Sequence, residues 1–266
     1  MEMNMILKDK VVIVSGIGPG LGQELSSLVA AEGGHVVMAA RTSAKLDAAE
    51  ALIREAGHDV EVLKVPTDIS RREDVARLVA ATKERFGRID GLINSAYIPG
   101  AFTDVVDADF DEWRRTFDVN LFGTLDLCQS VIREMRETGG GSIVNVNTQV
   151  TRKPWVQQAA YATSKAAMAM ATMQMATEVG QWNIRVNSTF MGWMWGHSVE
   201  QAFDHMAKES GQSVAELKAA QEANIALRRM PTDRECARPI IMLLSDYCSV
   251  VTGASLDING GEFMPG

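Results

Sequence analysis

Tyr161 and Lys165, in the stretch YATSK, lie four residues apart, and in a helical pattern that spacing puts both side chains on one face. A free tyrosine, with a pKa of ~10, is a poor base at neutral pH. A lysine ammonium about 5 Å away, at an effective dielectric of ~20, would stabilise the phenolate by roughly 3 kcal/mol, or ~2 pKa units. Such a pair can move a proton at the pH where a general acid or base works best. A second signature is SGIGPGLG at residues 15–22, which holds four glycines. Glycine costs backbone entropy and packs nothing, so the cluster implies a ligand that must come close to the backbone.

Both signatures sit in a chain that alternates apolar strands with amphipathic helices. VVIVSG at 11–16 is a continuous β-branched run, as expected of a strand buried on both faces of a parallel sheet. Similar runs begin with HVVMAA at 35, VEVLKVP at 60, GLINSA at 91, SIVNVNT at 142, IRVNSTF at 184 and ASLDING at 254. Helical patterns such as LDAAEALIREAG and REDVARLVAATKERFG lie between them. Two helices carry capping-box starts, Ser70 with Glu73 and Thr232 with Glu235. Pro239, inside the second of these helices, is expected to kink or shorten it. The alternation predicts one α/β domain over residues 1–266, doubly wound, with helices on both faces of a parallel sheet. A segment from about 190 to 230 is too long for a bare connection and reads as a loop plus one or two helices.

Composition narrows the function classes. A chain of 266 residues with 46% hydrophobic and 23% charged residues fits a soluble globule with a large core. Its net charge of -8 argues against nucleic-acid partners, whose phosphates would be repelled. No run is long and apolar enough to span a membrane, and the opening MEMNMILKDK lacks the pattern of a signal peptide. Cys128, Cys236 and Cys248 are odd in number and without CxxC spacing, which fits reduced thiols in a cytoplasm. His197 and His205 are too few and unsupported for a metal site.

The glycines follow the first strand and open the first helix, at the carboxyl edge where doubly wound sheets bind ligands. A helix start offers free N–H groups and the positive end of its dipole, which suit a pyrophosphate. The absence of GK[ST] argues against a nucleoside-triphosphate loop, while methyltransferases and flavoproteins use similar turns. Arg41 follows the second strand, where an acidic residue would accept from the 2′-hydroxyl of NAD and an arginine suits the 2′-phosphate of NADP. Residues 39–41 hold no carboxylate, which favours NADP, with NAD the alternative; Ile17, Gly18 and Pro19 add no basic residue in the turn.

Gly16, Gly20 and Gly22, taken with NSA at 94–96, DVNLFG at 118–123 and YATSK at 161–165, resemble the short-chain dehydrogenase/reductase family from Lys10 to Gly261. The resemblance implies a seven-stranded Rossmann sheet, a nicotinamide cofactor and a homotetramer or homodimer. It implies cofactor contacts at Gly16, Gly20, Leu21, Gly22, Asp68, Ile69, Asn94 and Gly192, and a bond from Lys165 to the nicotinamide ribose. It makes Tyr161 the proton carrier, Thr148 the substitute for a usual serine, and Asn120 the holder of a water that passes the proton on. The oxidised nicotinamide would add a second positive charge beside the phenol. The chain departs from the family pattern at Ser95, Tyr97, Met191 and Gly196, where Asn, Gly, Pro and Thr are usual. The Thr148 hydroxyl can still donate to a substrate oxygen, although its methyl stiffens χ1.

Trp193 and Trp195 beside Met191, Met194 and Met206 form an apolar segment at the expected mouth of the site, which suggests a bulky apolar alcohol or ketone, steroid-like or aromatic. The same side chains could equally pack in a core or a subunit interface. The expected activity is therefore an NAD(P)-dependent interconversion of a secondary alcohol and a ketone. A cofactor-binding sensor or scaffold and a methyltransferase on a similar sheet are the alternatives.

Overall fold

The computed structural model describes residues 5–265, so the first four residues of the opening segment lie outside the described residues. Seven strands form one sheet: β1 (Val11–Ser15), β2 (His35–Ala40), β3 (Val62–Pro66), β4 (Gly91–Asn94), β5 (Gly141–Thr148), β6 (Ile184–Met191) and β7 (Ser255–Ile258). All pairings are parallel, in the order β3-β2-β1-β4-β5-β6-β7. The order reverses between β1 and β4, which creates a crevice at the carboxyl edge.

The helices are α1 (Leu21–Ala31), α2 (Ser43–Glu55), α3 (Arg72–Phe86), α4 (Phe110–Phe117), α5 (Thr124–Thr138), α6 (Ala159–Val179), α7 (His197–Ser210), α8 (Val214–Glu222) and α9 (Asp233–Leu244). Alternation along the strands divides the core between the two faces of the sheet. Val12, Val14, Val36 and Met38 pack with Leu25 of α1, Ile53 of α2 and Ile240 of α9. Val11, Ile13, Val37 and Leu92 point the other way, toward Leu78 of α3, Leu127 of α5 and Val179 of α6. A third, smaller cluster gathers Phe203, Ile225 and Met230 under the excursion between β6 and α9. That excursion contains α7 and α8, as its length requires.

Local details depart from expectation at the start of one helix and in the middle of another. Thr232 and Glu235 form the capping box of α9, with both reciprocal bonds present. Ser70 and Glu73 do not form one. The Ser70 hydroxyl and N–H both donate to Asp68, Glu73 pairs with Arg71, and α3 begins after Arg71. A serine that already has a stronger anionic acceptor nearby is lost to the cap. The second departure is Pro239: α9 is not cut short there but runs on to Leu244. The box at its start and the burial of Ile240, Ile241, Leu243 and Leu244 hold the helix across the missing N–H.

Candidate active site

A cavity of about 670 Å³ lies at the carboxyl edge, lined by residues that follow β1, β2, β4, β5 and β6. The glycine turn forms its floor. Gly16 has a φ of 98°, and a Cβ there would lie 2.3 Å from the Ala96 nitrogen. A Cβ on Gly22 would lie 2.3 Å from the Gly16 carbonyl oxygen, so this cradle closes only around glycine. The first N–H groups of α1, which no intrahelical acceptor can satisfy, start at Leu21. Ser15 Oγ and Asn147 Oδ1 are buried without hydrogen-bond partners among the described residues, and both residues line the cavity. Polar atoms left unpaired beside a close-approach turn fit the phosphates and hydroxyls of a dinucleotide.

Arg41 lines the same cavity, and Lys45, at the start of α2, lies there with it. The sequence reading missed Lys45; its signal was its spacing four residues beyond Arg41. Asp68 and Ile69, after β3, also reach the lining, as do Gly20, Leu21 and Gly192. Asn94 does not. It is fully packed in the sheet, where its Nδ2 donates to Asn145 Oδ1 at 2.8 Å and approaches Cys128 Sγ at 3.2 Å. Asn145 donates in turn to Thr172, so Asn94 opens a buried polar chain linking β4, β5 and α6.

Tyr161, Lys165 and Thr148 meet at the cavity wall. One turn of α6 separates the first two, and Thr148 ends β5. Burial pushes the Tyr161 phenol above the usual tyrosine range, and the neighbouring Tyr97 adds to the shift; a hydrogen bond with Thr148 opposes it. Burial also brings Lys165 down to about 8. These directions correct the expectation of a phenol lowered by Lys165. Burial is the largest cause of the phenol's shift and Lys165 is not among its causes; the ammonium instead donates to the Val146 carbonyl at 2.8 Å. The Tyr97 and Tyr161 rings lie 5.7 Å apart.

Asn120 sits in a π-helical turn, Asp118–Gly123, between α4 and α5. Its side chain is buried and outside the lining. It accepts from the Ile98 N–H at 2.9 Å, donates to the Ile98 carbonyl at 2.9 Å and donates to Ser164 at 3.1 Å. Asn120 thus ties α6 to the loop after β4, of which Tyr97 and Ile98 face the cavity.

Of the two readings open for the aromatic segment, packing in a core is the one observed. Trp193 and Trp195 both pack edge-on against Phe203, at 5.5 and 5.7 Å, and Trp193 also meets Trp155 at 4.9 Å. Neither tryptophan lines the cavity, and Met206 is exposed on α7. They are large enough to build a core under the excursion, and that burial wins. The apolar part of the lining is instead Tyr97, Met191, Met194 and Val199. Among the described residues no cluster of His, Cys, Asp and Glu could hold a metal ion. No described helix is long and apolar enough to cross a membrane.

Comparison with known proteins accords with this geometry. The family model for short chain dehydrogenase matches residues 10–207. Levodione reductase from Leifsonia aquatica is 32% identical over 254 residues, covering 96% of this chain and 94% of its own. A crystal structure of levodione reductase superposes with a TM-score of 0.89, covering 96% of this chain and 98% of that one. Trans-4-hydroxycyclohexanecarboxylate dehydrogenase from Sinomonas cyclohexanicum is 34% identical over 264 residues, covering 96% and 93%. L-sorbose reductase from Gluconobacter frateurii, solved with NADPH and L-sorbose, is 25% identical, covers 99% and 100%, and gives a TM-score of 0.93.

Proposed function

The chain belongs to the short chain dehydrogenase family, and from that premise we propose that it interconverts a secondary alcohol and a ketone with NADP, NAD being the alternative. The observation that carries this reading is the meeting of Tyr161, Thr148 and Lys165 at one wall of the cavity whose floor is the glycine turn. Arg41 and Lys45 supply two cations where a 2′-phosphate would lie, and the L-sorbose reductase of the same fold was solved with NADPH.

A bound nicotinamide dinucleotide supplies the hydride acceptor or donor. The chain's own residues manage the proton. In reduction, Tyr161 Oη gives its proton to the carbonyl oxygen; in oxidation it takes the proton from the alcohol. Thr148 donates to the same oxygen and holds it beside the phenol. Lys165 anchors the ribose and keeps a positive charge near the phenolate once it forms. Asn120, its side chain fixed by Ile98 and Ser164, holds α6 and the loop after β4 in place beside the path by which a water would return the proton to solvent. A phenol is protonated at neutral pH and burial reinforces this, so the resting Tyr161 carries the proton that reduction requires.

For the substrate we favour a bulky apolar ketone or alcohol, steroid-like or aromatic, on the strength of Tyr97, Met191, Met194 and Val199 in the lining. The segment 190–230 serves as the lid over it. The working form is a homodimer or homotetramer, in a cytoplasm that keeps the buried Cys128, Cys236 and Cys248 as thiols. A turnover assay with NADPH and NADH across cyclic, aromatic and sugar ketones tests the reading. Oxidation or reduction of at least one apolar member, abolished by Tyr161→Phe, is the expected result. Turnover confined to sugars would remove the substrate class, and binding without turnover would remove the activity.

A further inference from the structure

The backbone between β6 and α7 makes one contact that positions an acid inside the cavity. Trp195 and Thr232 form a single parallel bridge, in which the Trp195 N–H donates to the Pro231 carbonyl at 2.8 Å. Gly196 is thereby held alongside Asp233, the first residue of α9. Gly196 has an extended backbone, with a φ of -173°, which any residue adopts. Space is what demands glycine here: a Cβ would lie 1.8 Å from Asp233 Oδ2 and 2.7 Å from Asp233 Cγ. The same Oδ2 lies 3.0 Å from the Cβ position of Gly20, the residue that caps α1. A carboxylate therefore stands at the end of α1 that attracts anions, in the same cavity as the glycine turn.

The surroundings do not neutralise it. Glu24 of α1 and Glu200 of α7 add negative charge, and no cation or hydrogen-bond donor among the described residues pairs with it. On α9 itself, Arg234 is engaged by Glu24 at 3.0 Å, and Glu235 is held by Arg229. His197 at the start of α7 and Tyr97 after β4 line the same cavity. Ionised, Asp233 would repel a pyrophosphate seated on the glycine turn; neutral, it becomes a donor to it.

We propose that Asp233 couples dinucleotide binding to protonation: it takes one proton from solvent and, as the neutral acid, donates a hydrogen bond to a phosphate oxygen of the cofactor. The proposal rests on the reading of the cavity as a dinucleotide site. Burial first, then Glu24 and Glu200, holds the carboxyl at about 6, so the neutral form is within reach of physiological pH. Two further negative charges beside it raise that value again.

Titration calorimetry of NADPH into the whole protein between pH 6 and pH 8, in pairs of buffers with different ionisation heats, reads both affinity and proton uptake. The unmodified protein should lose about five- to fiftyfold in affinity over that range and take up a proton as it binds. Asp233→Asn, the same shape without the charge, should bind more tightly at pH 8 and show neither effect; a melting curve checks that it is folded. Equal pH dependence in both proteins would assign the proton to another group and overturn the proposal. Weaker binding by Asp233→Asn at pH 8 would also overturn it, by making Asp233 an ionised acceptor for a hydroxyl or amide. No binding of any dinucleotide by the unmodified protein would instead strike the reading of the cavity.

Discussion

At the scale of single residues, the chemistry depends on a phenol that burial raises and a hydroxyl that moderates the shift. Tyr161→Phe keeps the ring and removes the titrating atom, so kcat should fall ~100- to 10,000-fold in steady-state assays while cofactor affinity holds. Thr148→Ser should retain activity and Thr148→Val should lose it, since only the hydroxyl differs in function. Arg41→Ala should weaken NADPH by roughly ten- to a hundredfold and leave NADH nearly unchanged in fluorescence titrations, because charge-assisted bonds contribute ~1.5–3 kcal/mol. Lys165 gives a prediction about pH. Its folded value of about 8 lies below its ordinary 10.5, so between those limits the unfolded chain holds a proton that the folded one has lost. Stability must rise with pH across that window and carry a burial cost of ~3 kcal/mol below it. Denaturant melts should therefore show Lys165→Met gaining stability at pH 7 and losing that gain by pH 10.5. Residue types and spacing made Tyr161, Lys165 and the glycines legible, and the family resemblance added Thr148. Lys45 was overlooked beside Arg41, whereas Asp233 was not legible, because α9 brings it to the cavity by packing against elements far away in the chain.

Among the elements, the two capping-box patterns show what local sequence can and cannot decide. Thr232 and Glu235 bond reciprocally because nothing nearby competes for the threonine, whereas Ser70 has Asp68 two residues back. Thr232→Ala should accordingly cost ~1 kcal/mol in chemical unfolding, and Ser70→Ala, as a cap, well under ~0.5 kcal/mol. Equal losses would contradict that account. The strand pattern was clearest in β1, β2 and β4, where burial on both faces leaves a continuous apolar run, while the edge strands β3 and β7 are only partly buried. The aromatic segment was not: periodicity cannot distinguish a cavity wall from a small core, and only the placement of Phe203 decides that Trp193 and Trp195 belong to the core.

For the whole molecule, the seven-stranded sheet and its single domain follow from strand–helix alternation, while the way copies assemble depends on surface shape that alternation does not encode. One feature inside the molecule sets its internal rhythm. The cluster of Phe203, Ile225 and Met230, with Trp193, Trp195, Val199, Val214 and Leu217 around it, is separate from the two cores that flank the sheet. Its apolar contacts lie mostly within the excursion, with Trp155 against Trp193 an exception, so α7 and α8 can come apart while both large cores stay closed. Such a segment behaves as a cooperative opening unit with its own free energy, smaller than that of global unfolding. Native-state hydrogen exchange in dilute denaturant should show α7 and α8 losing protection together and first, with β1, β4 and β5 last. A ligand held beneath the excursion should raise the opening energy of that unit alone, and Phe203→Ala should lower it without moving the exchange of the sheet. The rate at which ligand enters and leaves would then be set by how often this small core melts.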